Sequence, residues 1–150
     1  MAHAHAYAPG LPDPAHEAPF YEGVAVKRAF AFLADFVLIF LMALVILPFT
    51  AFAALFFFPF FIGVVGFFYR WATLAAGSAT WGMRLMAIEI RESDGLRLSA
   101  ATAFLHVVGL YLSFAVFPAQ LVSAVLMVAL GRGQGLTDLV LGTAAINRPA

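Results

Sequence analysis

Two acids stand in segments otherwise written for lipid. Asp35 interrupts the apolar run 26–47, and Asp138 lies in Leu136-Thr-Asp-Leu-Val-Leu-Gly-Thr143 near the end of the chain. Arg28 precedes Asp35 by seven residues, which places both on nearly the same face of a helix, about 10 Å apart along the axis. A carboxylate inside a spanning helix costs about 2.5–3.5 kcal/mol on insertion scales, so it is expected to face a bundle interior or a water-filled cavity. Two chemistries fit these residues. In one, Asp35 binds and releases a cation or proton and Arg28 tunes its affinity, an opposite charge favouring the ionised form against burial. In the other, Arg28 snorkels to the interface, pairs with Asp138 from the C-terminal segment and locks the bundle. His106 is the one imidazole in the later apolar segment and a possible accessory.

Other chemistry has little to stand on. There is no cysteine, which removes disulfides and thiolate sites together, and no P-loop, dinucleotide fingerprint or HExxH occurs. Ser113 and Ser123 have no histidine–acid partner at suggestive spacing and read as helix–helix hydrogen bonders. His3, His5 and His16 lie in an aperiodic tail, without carboxylates at ligand spacing. Neither an enzyme, a resident metal nor a cofactor is expected. Eight basic and eight acidic side chains balance, and no basic stripe exists to neutralise a phosphate backbone, so nucleic acid is not an expected partner.

The chain that positions these groups has 150 residues, 64% of them hydrophobic and 11% charged, with a mean hydropathy of +0.98. Soluble domains carry about 45–50% apolar and about 25% charged residues. The class is therefore an all-α integral membrane protein, a small bundle of three to four transmembrane helices. Residues 1–19, rich in Pro, Ala and His, read as a disordered tail, and 20–148 as one transmembrane domain. Helices are expected near 26–47 and 53–75, with Pro48 and Thr50 at the turn between them, and Gly63 and Gly66 permit close helix contact. Tyr69, Arg70 and Trp71 read as an interfacial belt.

After this belt, Met86, Ile88 and Ile90 alternate with Ala87, Glu89 and Arg91. Asp94-Gly95 then marks a turn, and Leu96 and Leu98 resume the alternation. This predicts a short β-hairpin with solvated Glu89, Glu92 and Asp94. Arg84, Arg91 and Arg97 place this loop in the cytoplasm. Residues 99–130 are too long for one span. They form either an interfacial helix leading into a span or two short segments folded at Pro118, and a cytoplasmic C-terminus favours the fold. A final short helix is capped by Thr137 or Asp138.

Taken in order, these residues resemble the RDD family of small membrane proteins, named for one arginine and two aspartates. Lys27-Arg28-Ala-Phe-Ala-Phe-Leu-Ala-Asp35 is similar to the family's first pair, and Gly135-Leu-Thr-Asp138 to its last acid. Thr80-Trp-Gly82-Met-Arg84 resembles the family's Thr-x-Gly-Lys segment, with Met83 in place of the lysine and Arg84 beside it. Thr137 stands where the family often has histidine, and His106 where it often has arginine. The resemblance implies a polar trio of Arg28, Asp35 and Asp138, with Thr80, Gly82, Arg84, His106 and Thr143 as accessories. It also implies residence in the bacterial inner membrane. The favoured reading is a membrane-embedded structural or interaction module. It would sit in the lipid bilayer, as a homo-oligomer or within a larger membrane complex. The alternative is a small ion or proton exchange component using Asp35.

Overall fold

The structure is a computed structural model and describes residues 10–148. Helix α1 (Val24–Ile46) starts after Gly23, whose φ of +67° suits a residue without a Cβ. It ends where Pro48 withholds an N–H and restricts Leu47 before it. Helix α2 (Phe58–Gly77) opens with Pro59 in its first turn, where a missing N–H costs nothing. Between them lie two 3-10 turns, Leu47–Thr50 and Ala53–Phe57. The Thr50 hydroxyl donates to Leu47 O at 2.7 Å, and Ala51 and Leu55 donate to Pro48 O and Phe52 O. Thr50 is the only polar side chain of this turn, and its hydroxyl is bonded within the turn.

A short helix α3 (Trp81–Leu85) follows, capped by the Thr80 hydroxyl, then strand β1 (Ile88–Arg91). Helices α4 (Ala100–Ala115) and α5 (Phe117–Ala129) are folded on each other at Val116 with a 117° bend. Helix α6 (Leu136–Leu141) and strand β2 (Ala144–Asn147) complete the chain. The helical stretches Ala18–Thr50 and Ala53–Gly77 are each long and apolar enough to cross a membrane; the bent α4–α5 pair would make a third if it counts as one span. Pro118 lies in the first turn of α5, so the expected break near it is the Val116 bend.

The sheet differs from the expected hairpin. β1 pairs antiparallel with β2, in the register Ile88↔Asn147 to Arg91↔Ala144. The Asp94–Gly95 turn is present, with Gly95 at φ +81°, but its return arm makes only the single bridge Arg91↔Arg97. The arm is too short to be a strand: Leu98 gives its N–H to Ser78 Oγ and Ser99 already caps α4. Glu89, expected to be solvated, is buried in this sheet. It is ion-paired with Arg91, whose Nε lies 2.7 Å away, and with Arg148 at 3.4 Å.

The core sits at one end of the molecule. Val24, Ala31, Leu74, Ile88, Ile90, Leu98, Ala103, Val107 and Ala145 pack together there, drawn from α1, α2, both strands and α4. Beyond it α1 and α2 present Phe40, Leu41, Val45, Phe56 and Phe60 outward. Of the segment expected to be disordered, residues 1–9, with His3 and His5, lie outside the described residues. Leu11, in its second half, is buried beside Tyr21, Ala144 and Ile146, and the Tyr21 hydroxyl donates to Pro12 O at 2.8 Å.

Trp71 and Tyr111 tie α2 to α4. The indole donates to Ala100 O at 3.1 Å and the phenol to Gly63 O at 2.6 Å. A Cβ on Gly66 would lie 3.0 Å from the Tyr111 hydroxyl and 3.3 Å from Ile39, whereas one on Gly63 would find its nearest neighbour at 4.0 Å. Gly66→Ala is therefore expected to cost about 1–3 kcal/mol by overpacking, and Gly63→Ala to be near neutral. Thermal midpoints of the two variants in one detergent check this ordering.

Candidate functional site

The trio divides into two clusters. The first surrounds Asp35, at the middle of α1 and only 2% exposed. Its Oδ1 accepts from the Gly82 N–H at 2.8 Å and the Tyr69 hydroxyl at 2.7 Å, and its Oδ2 accepts from the Thr80 hydroxyl at 2.6 Å. Each hydroxyl has one proton and gives it to Asp35. Their oxygens in turn accept backbone N–H groups, Trp81 onto Tyr69 at 3.1 Å and Met83 onto Thr80 at 3.2 Å. Every neighbour is thus a donor, the complement of an ionised carboxylate. Gly82 makes the approach possible, because a Cβ there would lie 2.2 Å from Ala31 O and 2.8 Å from Asp35 Oδ1.

The second cluster surrounds Asp138, which is fully buried. Arg28 Nη1 donates to its Oδ2 at 2.6 Å and to Gly133 O at 3.4 Å. The Gly135 N–H reaches the same Oδ2 at 3.1 Å. Oδ1 accepts from the Thr143 hydroxyl at 2.9 Å and lies 3.0 Å from His106 Nε2, which must carry a proton to bond there. Asp138 is therefore not the N-cap of α6, and neither is Thr137: Gly135 occupies that position, and the acid reaches back to it from the third helical residue. Burial alone would push the Asp138 carboxyl up. The Arg28 charge, the His106 bond and the Gly135 N–H outweigh it and hold the group well below the usual carboxylate range.

The sequence-predicted residues distribute unevenly. Thr80 and Gly82 serve Asp35, while Arg28, His106 and Thr143 serve Asp138. No ion pair joins Arg28 to Asp35; the arginine's carboxylate is Asp138. Arg84 joins neither acid and lies over the Trp81 ring, 4.9 Å from its centroid. Tyr69 is the partner that sequence reasoning missed, since it reads as an interfacial belt residue but turns inward to Asp35. Its signal is faint: it is the one phenol on α2. Arg70, also assigned to the belt, is buried with its guanidinium over Phe32 at 5.1 Å. Ser113 bonds within its own helix to Gly109 O, while Ser123 Oγ accepts the Leu136 N–H and joins α5 to α6. Among the described residues no group of three or more His, Cys, Asp or Glu is arranged to hold a metal ion.

A helical bundle whose longest helices are apolar enough to cross a membrane, with buried acids met by hydrogen-bond donors, defines a protein of the membrane class. The RDD family model matches residues 23–142, a span that includes Arg28, Asp35 and Asp138, and the chain belongs to that family. No curated protein and no solved structure matches it.

Removing Arg28 leaves Asp138 buried without its counter-charge, which typically costs about 3–5 kcal/mol. Arg28→Ala should therefore lower the thermal midpoint in detergent far more than Arg97→Ala, whose side chain is exposed. Arg91 is unsuitable as the control because it partners buried Glu89. The pH dependence follows from the lowered Asp138 carboxyl. A depressed folded value gives stability that is complete above the ordinary carboxylate range, about pH 4. That stability is lost as pH falls below this range. Asp138→Asn should remove this acid limb while lowering stability at neutral pH, as read by thermal midpoints across pH 3–7.

Proposed function

We propose that the chain is a membrane-embedded structural or interaction module whose polar residues hold a fixed shape, and that it is not an enzyme. The observation that carries this reading is that every carboxylate oxygen of both acids accepts at least one hydrogen bond from the chain. Seven donors from separate parts of the chain occupy the four carboxylate oxygens. A carrier's carboxylate needs free coordination sites and a route to water; a clamp needs the reverse. The module rests in the lipid bilayer, in the bacterial inner membrane, as a homo-oligomer or as part of a larger membrane complex.

Its polar end faces the cytoplasm in this reading. Lys27, Arg84, Arg91, Arg97 and Arg148 all lie on segments that meet at the β1–β2 sheet, and basic residues concentrate on the cytoplasmic side of short loops. The pairing of β2 with β1 further supports a re-entrant α4–α5, which enters and leaves on one side, so that α1 and α2 alone cross.

A second reading, a small ion or proton exchange component, draws on one feature: Asp35 has neutral donors and no ion-pair partner among the described residues. Asp35→Asn separates the two. A clamp loses a matched acceptor, because the new amide directs N–H groups at donors. Yield and thermal midpoint should then fall, and parent proteoliposomes should show no sodium- or potassium-driven proton movement. Flux in the parent that vanishes in a well-folded Asp35→Asn protein would replace the module with the exchanger.

A further inference from the structure

A groove of about 520 Å³ runs between α1 and α5, walled by Ala29, Phe32 and Leu33 on one side and Ala124, Met127 and Val128 on the other. That volume lies within the ordinary range of small-molecule sites, about 300–1,000 Å³. Ala29, Leu33, Ala124 and Val128 are exposed on helices whose outer faces are apolar, so the groove's rim suits contact with lipid chains. Behind it lies a second, more enclosed cavity of about 30 Å³, lined by Ser113, Ser123, Thr137 and Asp138 among others. Arg28, Gln120 and Met127 border both spaces.

Gln120 points to an occupant. It is the only carboxamide on α5, in a segment otherwise built of apolar and small residues. It is half-buried, and no hydrogen bond reaches its side chain among the described residues. A primary amide can make about four hydrogen bonds, and an unpaired one near hydrocarbon is costly. Ser123 accepts from Leu136 N and keeps its own proton for a further partner. The inner cavity admits one or two groups the size of a water, since about 10–15 Å³ suffices for each. Arg28 and Asp138 at its edge cancel each other's charge, so a charged head meets repulsion as close as attraction.

We infer that the α1–α5 groove binds a single-chain amphiphile with a small uncharged head, a long-chain or isoprenoid alcohol. Its chain lies along the groove and its hydroxyl bonds to Gln120 at the inner cavity. The ligand enters sideways from the bilayer. This assignment is independent of whether the protein is a module or an exchanger, because neither Asp35 nor a change of protonation takes part.

The test uses the purified full chain in phosphatidylcholine nanodiscs with a hexadecanol carrying a diazirine in its chain. Photolabel should map to residues 25–33 and 120–128, and excess hexadecanol should suppress it where hexadecane, palmitate and added phospholipid do not. Ala29→Phe and Ala124→Phe fill the groove from opposite walls at exposed positions and should each abolish the label, with unchanged thermal midpoints. Gln120→Leu should weaken competition by hexadecanol roughly tenfold, the effect of one lost hydrogen bond. Equal suppression by hexadecane or phospholipid would mean that bilayer chains alone fill the groove, and would overturn the assignment. Labelling indifferent to both phenylalanines, or no label at all in these segments, would do the same.

Discussion

A carboxylate withdrawn from water has to be met by donors, and most of this architecture follows from meeting that demand twice. Asp138 collects four donors and Asp35 three. The Arg28–Asp138 bond joins residues 110 positions apart, so it closes the chain into a ring, with α6 drawn to the mouth of α1. Lys27 reinforces the closure one residue earlier, giving its Nζ to Asn147 Oδ1 at 2.6 Å. Asn147 in turn donates to Pro19 O and Glu22 O. Two consecutive basic residues thus anchor the last helix and the last strand separately.

The Asp35 cluster works by another route. Among the described residues no cation meets it, and its stabilisation comes from one amide and two hydroxyls, the hydroxyls each oriented by a further bond. Such a network polarises along its length, from Trp81 N–H through the Tyr69 hydroxyl and from Met83 N–H through the Thr80 hydroxyl. The arrangement also explains why α3 is so short. Its first residues must lie flat against α1 for Gly82 to deliver its N–H, and after Leu85 the chain turns at Ala87, with φ +55°, into β1.

The ion-paired and carboxylate ties sit at one end; towards the other, among the described residues, the polar contacts thin to the Tyr111 bond to Gly63 O and the Thr50 hydroxyl within its own turn. The α1–α2 turn is apolar apart from Thr50, its two 3-10 turns and two prolines leave few backbone groups in need of water, and Phe49 and Phe56 project outward. The protein therefore grades from a polar, cross-linked base to an apolar far end at the α1–α2 turn. The base supplies specificity of fold, and the long apolar helices suit the chain to lipid.

Much of this division was legible from residues alone, because it is local. The long charge-free runs, the prolines at 48 and 59, and the two lone acids mark membrane helices, their ends and the polar positions that must be satisfied. Ordered motifs around Arg28, Asp35 and Asp138 were enough to indicate the family. What only the tertiary structure decided is who meets whom. The residues left Arg28 two roles, tuning Asp35 on its own helix or pairing with distant Asp138, and the fold takes the second. Alternation in 86–98 allows a hairpin, yet β1 takes β2, because Ser78 and the α4 cap claim the return arm. Tyr69 turns inward because α3 folds back and brings Trp81 N–H to its oxygen. Helix and strand periodicities extend over a few residues, whereas these choices depend on the register of segments dozens of residues apart, which no single stretch of sequence encodes.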